Sequence, residues 1–231
     1  YTTLFRSHGA DFLIKDMHRL TLIMKKNYPD LPYVLIGHSM GSYMSRKYAS
    51  IYGDELDGVI FLGTGNQPKA VVDSGLKLAH IAKLVRGERY RSELLNTIMF
   101  GAYNKRIKDN RTANDWLTKD TKIVDGYLRD PKCSYKFTAN AYIGFLNVIK
   151  YDIDKKNIAK TPDKLPVLFA SGLEDPVGDY GKGVKKAFKM YTKYVDNVEL
   201  YLYEDDRHEL HSETDREDIF SDLYEWIEEN V

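Results

Sequence analysis

The feature that most limits how this chain can fold is the run Leu31-Pro32-Tyr33-Val34-Leu35-Ile36-Gly37-His38-Ser39-Met40-Gly41-Ser42. Tyr33 to Ile36 are apolar and rich in strand formers, as in a strand buried on both faces. Gly37-His38-Ser39-Met40-Gly41 follows and has the spacing G-x-S-x-G. Met44, Tyr48 and Ile51 then recur at helical spacing, and Gly53 closes the pattern. A serine at the tip of so sharp a strand-to-helix turn is held in a strained backbone conformation. The residues two before and two after it are pressed together, which glycine permits. The turn also aims the backbone N–H of Met40 at the space above the serine, where an oxyanion would form. The five-residue pattern alone arises by chance in on the order of one chain in ten of this length. Its weight therefore rests on the strand before it and the helix after it; the alternative is an ordinary tight turn.

The rest of the chain supplies the surroundings such a turn needs. Asp11 to Tyr28 reads as an amphipathic helix with Leu13, Met17, Leu20 and Met24 on one face, stopped by Asn27 and Pro29. Tyr1 to Ala10 shows no element. Gly58 to Gly63 is a second buried strand, and Thr64 to Pro68 is the loop at its end. Helices alternating with strands are the rhythm of a parallel sheet. From Lys69 to Lys160 the strand signal disappears. Leu78, Ile81, Ala82 and Val85 make one helical pattern; Leu94, Leu95, Ile98 and Met99 start another; Tyr142, Phe145, Leu146 and Ile149 make a third. Residues 69–160 are thus expected to be a helical cap insertion in an α/β core formed by 1–68 and 161–231. The strands resume at Leu165–Gly172 and Val198–Tyr203, with a helix from Tyr180 to Val195 between them. Thr214-Asp215-Arg216-Glu217 reads as a capping box opening a last helix, with Ile219, Leu223, Trp226 and Ile227 inward.

Composition removes several classes of function. With 34 basic and 34 acidic residues the formal net charge is zero, against a nucleic-acid footprint. The single cysteine, Cys133, cannot form an internal disulfide, which fits a reducing, cytoplasmic location. No apolar run approaches membrane-spanning length. The basic cluster Lys105, Arg106 and Lys108 reads first as a solvated helix face and second as a transient contact for an anionic lipid surface.

A nucleophilic serine needs a base to take its proton and an acid to orient that base. In open parallel sheets, ligands bind beyond the carboxyl ends of the strands. Two loops at such ends carry the right residue types: Leu173-Glu174-Asp175-Pro176-Val177-Gly178-Asp179 and Glu204-Asp205-Asp206-Arg207-His208-Glu209. Asp175 competes with Glu174 and Asp179 as the acid; it lies close to the strand end and is followed by a rigidifying proline. His208 has one local rival as the base, His211. Asp205 and Asp206 read as solvated turn charges. The order Ser39, Asp, His208 is that of α/β-hydrolases.

The serine motif and these two loops, the first extended through Tyr180-Gly181-Lys182-Gly183-Val184, resemble the α/β-hydrolases of the monoacylglycerol lipase and lysophospholipase group, which is also termed serine aminopeptidase-like. Asn114-Asp115-Trp116-Leu117 and Asp130-Pro131-Lys132-Cys133 resemble bacterial members of that group. The resemblance spans nearly the whole chain. It implies Ser39 as nucleophile, Asp175 as acid and His208 as base, with the Met40 N–H at the oxyanion. It implies lipid-like monoesters as small-molecule acyl substrates, and no metal or organic cofactor. Peptide or amide cleavage is the alternative chemistry. A non-catalytic binding protein on the same scaffold is the reading from another class, against which the intact set of three residues argues. His38 beside the serine, and the aromatic residues Phe100, Tyr103, Trp116, Tyr142 and Phe145 with Met99, are the candidates to line an acyl channel; packing within the insertion's own core is the other role open to them. Members of the group carry further residues ahead of the region matching Tyr1, which supply the first sheet strands and an His-Gly loop. The expectation is that these N-terminal strands are missing from the 231 residues; His8-Gly9 reads as the lead-in to the Asp11 helix.

Overall fold

The computed structural model describes residues 9–108, 110–133 and 135–231; the expectations for residues 1–8, His8 among them, lie outside these. The order of elements is α1 (Gly9–Asn27), β1 (Val34–His38), α2 (Met40–Tyr52), β2 (Gly58–Leu62), α3 (Lys69–Arg86), α4 (Glu93–Phe100), α5 (Thr121–Arg129), α6 (Ala139–Asp152), α7 (Lys155–Ile158), β3 (Val167–Gly172), α8 (Lys182–Tyr191), β4 (Val198–Tyr203) and α9 (Arg216–Asn230). The strands form one parallel sheet in the order β1-β2-β3-β4. His38 lies opposite Leu62, Leu62 opposite Ala170, and Gly172 opposite Tyr203. This register brings the carboxyl ends of all four strands to one rim, where every candidate loop begins.

Side chains alternate between two cores. Val59, Phe61, Val167 and Phe169 point to the side covered by α2, α6 and α8. Ile60, Leu62, Leu168 and Ala170 meet Ile219, Leu223 and Trp226 of α9. β2 and β3 are buried throughout, as continuous apolar runs predict. β1 corrects the expectation of a strand buried on both faces. Among the described residues it pairs only with β2, and Ile36 is 49% exposed.

Two helices turn differently from their periodicity, and a third opens without its expected cap. In α1 the buried stripe is Ala10, Ile14 and Thr21, and Leu20 faces outward. Thr21 is inward because its Oγ accepts a hydrogen bond from the buried Tyr48 hydroxyl at 2.8 Å. In α3 the buried residues are Val72, Leu76 and Ala79, while Leu78, Ile81 and Val85 are exposed. The helix has two apolar stripes, and α6 takes the one containing Gly75, where a Cβ would stand 3.2 Å from Leu146 Cδ1. At α9 the expected capping box does not form: Asp215 is the N-cap and no side chain caps the helix.

The insertion between β2 and β3 holds α3 to α7 and, among the described residues, no strand. α6 is not separate from the core. Its Phe145 ring packs edge-on to Tyr43 of α2 at 5.6 Å, and the carbonyl of Asp152 accepts from the buried Arg46 guanidinium at 3.0 Å. Lys105, Arg106 and Lys108 are exposed, with Arg106 lying 4.0 Å over the Tyr180 ring. Among the described residues, no helix is long and apolar enough to cross a membrane.

Candidate active site

Ser39 sits between β1 and α2 with φ 53° and ψ −120°, a conformation that a residue with a side chain rarely adopts. Its N–H donates to the Leu62 carbonyl at 3.0 Å, and its own carbonyl accepts from Ser42 Oγ at 2.6 Å. The turn is thus pinned to β2 on one side and to the first turn of α2 on the other. A Cβ at Gly37 would meet the Gly41 carbonyl oxygen at 2.5 Å. Gly41 itself has open space where its Cβ would be, so only the first glycine is sterically required. Met40 is the first residue of α2, and its N–H is one of the helix-end donors without an intrahelical acceptor.

Asp175, from the loop after β3, and His208, from the loop after β4, are brought to Ser39. His208 Nδ1 is 3.0 Å from Asp175 Oδ2, and His208 Nε2 is 2.8 Å from Ser39 Oγ. With its proton on Nδ1, the ring donates to Asp175 and accepts from the serine hydroxyl. Asp175 is 0% exposed; its Oδ1 accepts the Val177 N–H at 2.8 Å. The competing residues are elsewhere. Glu174 is exposed and faces Arg207 at 3.6 Å, and Asp179 is exposed. His211 is exposed and meets His38 edge-on at 4.7 Å.

His38 lies behind His208. Its Nε2 donates to the His208 carbonyl at 3.1 Å, and the two rings are 4.8 Å apart. Burial, with the neighbouring His208 and His211, lowers its pKa to about 3, so it stays a neutral donor. The remaining candidates divide. Trp116 lies 5.1 Å from the His208 ring, Tyr103 4.8 Å from Trp116, and Phe100 5.7 Å from Tyr103, a row of rings leading from the histidine into the insertion. Tyr142 is in the insertion's interior, packed on Phe137 at 5.5 Å with its hydroxyl 3.3 Å from Asn96.

Two features of the rim escaped the sequence reading. Gly63, just after β2, has φ +57°, and a Cβ there would stand 3.0 Å from His208 Cε1. A glycine closing a buried strand is the signal that could have marked it. Asp206 is the second, and it is a correction. It is 1% exposed, not a solvated turn charge, and its Oδ1 pairs with Lys119 Nζ at 2.6 Å. Only the fold brings Lys119, from the insertion, to it. Asp206, Glu213 and Asp215 place carboxylate oxygens within 4.8 Å of one another, and Lys119 is the cation among them. Burial raises the pKa of Asp206 and of Glu213, opposed at Asp206 by Lys119 and at Glu213 by backbone donors.

Comparison with known proteins gives three kinds of match. The sequence model of the family described as serine aminopeptidase, S33, matches residues 4–215. The chain is 22% identical to a monoglyceride lipase homolog of Monkeypox virus, over 96% of this chain and 75% of that protein. A highly thermostable carboxyl esterase from Bacillus coagulans, solved with glycerol, is 28% identical and superposes with a TM-score of 0.86, over 94% of this chain and 71% of the esterase. A soluble variant of the monoglyceride lipase from Saccharomyces cerevisiae, solved with a substrate analog, shares the fold at 21% identity, with a TM-score of 0.70 over 96% of this chain and 69% of the lipase.

Proposed function

The chain belongs to the serine aminopeptidase, S33, family of hydrolases, and from that membership we propose that it cleaves carboxylic esters, namely lipid-like monoesters such as monoacylglycerols or lysophospholipids, through an acyl-enzyme. It is an α/β-hydrolase of the esterase and lipase type, similar to monoglyceride lipases. The observation that carries the finer reading is the hydrogen-bonded row Ser39 Oγ, His208 Nε2, His208 Nδ1, Asp175 Oδ2, with the serine on a strained turn at a helix start.

In this reading Ser39 Oγ attacks the ester carbonyl while His208 Nε2 takes its proton. Asp175, buried and oriented by the Val177 N–H, keeps the imidazole in the Nδ1-protonated form and offsets the charge of the imidazolium. The tetrahedral oxyanion takes a hydrogen bond from the Met40 N–H, favoured by the positive end of α2. His208 then protonates the departing alkoxide, activates a water, and that water releases the acid and restores Ser39. His38, neutral, holds the backbone of His208 throughout. Trp116, Tyr103 and Phe100 form one wall for the acyl chain.

The test is labelling with a serine-reactive fluorophosphonate, read by intact mass, with Ser39→Ala as control. One adduct, absent in Ser39→Ala, is expected. Hydrolysis of monoacylglycerols is then compared with that of aminoacyl anilides. No adduct on the folded protein would remove the hydrolase mechanism and leave a binding protein. Faster anilide cleavage would move the activity to peptides or amides.

A further inference from the structure

The loop that carries His208 is held along its length by a segment of the insertion. Arg207 Nη1 donates to the carbonyls of Asp115 at 2.8 Å and Thr118 at 3.1 Å. The His208 N–H points at the Trp116 carbonyl at 3.4 Å, and the Glu209 N–H donates to that of Leu117 at 2.7 Å. Lys119 Nζ pairs with Asp206 Oδ1 at 2.6 Å. Glu213, 0% exposed, joins the two stretches: Oε1 accepts the Arg207 N–H at 2.8 Å, and Oε2 accepts the Thr118 hydroxyl and the Lys119 N–H, both at 3.0 Å. On the opposite side the loop abuts the end of β3. The Glu174 N–H donates to the Asp206 carbonyl at 2.8 Å, and a Cβ at Gly172 would stand 2.0 Å from that oxygen.

We propose that segment 115–119 is a clamp that positions His208, with Lys119 and Glu213 as its positioning residues, so that docking of this segment and assembly of the Ser39–His208–Asp175 row are one event. The physical reason is the cost of buried carboxylates. Asp206 and Glu213 are out of water; Asp206 depends on the Lys119 ammonium, and Glu213 Oε2 on the Thr118 hydroxyl and the Lys119 N–H, for their partners. If the segment leaves, two carboxylates lose partners, and the loop must move to rehydrate them. β3 blocks movement in its own direction, so the loop moves toward the insertion and draws His208 from Ser39.

The proposal rests on His208 being the base. It is tested with the full chain by measuring three quantities for each protein: the rate constant of fluorophosphonate reaction with Ser39, the fraction finally labelled, and the kcat and KM for a short-chain nitrophenyl ester per labelled site. Lys119→Met is expected to lower the phosphonylation rate and kcat by roughly 10- to 100-fold, as a small misplacement of a reacting group does. KM should hold within about twofold and the labelled fraction should stay at the wild-type value. Lys119→Arg should restore most of the loss. Thr118→Val should shift the rates in the same direction, and it carries the test if Lys119→Met does not fold. A lower labelled fraction with an unchanged rate per labelled site would make these contacts merely structural and overturn the clamp. Wild-type rates in Lys119→Met would overturn it as well. A folded wild type that takes no label would instead overturn the reading of His208 on which the clamp rests.

Discussion

A Cβ on Gly37 would lie 2.5 Å from the carbonyl oxygen of Gly41, whereas a Cβ on Gly41 would meet nothing within 4 Å. The close approach of strand and helix therefore acts on one glycine of the pair. Gly37→Ala would also press on Ser45 Oγ at 2.3 Å. It is expected to destabilise the protein by about 2 kcal/mol, a typical cost of overpacking. Gly41→Ala, in the first turn of α2, is expected to be neutral or to stabilise by up to about 1 kcal/mol. Denaturant unfolding of the two variants checks this, and equal losses would contradict it.

The backbone of Ser39, at φ 53° and ψ −120°, holds strain that glycine would not. Ser39→Gly and Ser39→Ala should both abolish hydrolysis. Ser39→Gly should nevertheless be the more stable by about 1 kcal/mol, the lower end of the cost of such a conformation. Melting temperatures of the two inactive variants decide it; the reverse order would mean the turn is unstrained.

His38 gives the protein an acid-side weakness. Its pKa falls from 6.5 to about 3 on folding, chiefly through burial. Below pH 6.5 the unfolded chain takes up a proton that the folded one refuses until about pH 3, so stability falls as the pH drops through this window and is unaffected above it. The loss from this one group is at most roughly 1.4 kcal/mol per pH unit. His38→Gln, which keeps a donor for the His208 carbonyl, should show a shallower decline from pH 6 to pH 4. Parallel stability curves for the two proteins would show that His38 titrates normally.

Gly63 is expected to tolerate no side chain. Its φ of +57° and the 3.0 Å approach of a Cβ to His208 Cε1 act together. Gly63→Ala should lower kcat at least about tenfold by displacing the ring. Its stability cost should be about 1–2 kcal/mol, from the unfavourable φ. Steady-state kinetics beside a thermal melt separate the two effects; an unchanged kcat would mean the ring has room.

Much of the architecture was legible because it follows from local periodicity. β2, β3 and β4 are where continuous or strand-forming runs put them. Tyr142, Phe145, Leu146 and Ile149 of α6 are buried as their spacing predicts, as are Ile219, Leu223 and Trp226 of α9. Periodicity failed where a helix offers two apolar stripes. In α3 the stripe Leu78, Ile81 and Val85 is the more hydrophobic, yet α6 packs on Val72, Leu76 and Ala79, whose small members and Gly75 let Leu146 come close. The half-exposure of β1 was not readable from its own residues, since a strand's residues do not reveal how many neighbours it has; only the expectation of missing N-terminal strands, drawn from the resemblance, bore on it.

By itself, then, the sequence determined the strand-turn-helix around Ser39, the alternation that builds a parallel sheet, and the order in which serine, acid and histidine enter it. These depend on φ/ψ limits and on residues a few positions apart. Residue chemistry left Glu174 and Asp179 open beside Asp175, and His211 beside His208; the family resemblance pointed to Asp175 and His208, and it is the tertiary structure that brings those two to Ser39. Only it could bury Asp206 beside Lys119. Neighbouring carboxylates in one loop are alike as sequence. They differ in which distant charges and donors the fold sets against them, and burial turns that difference into whether a charge is held or left in water.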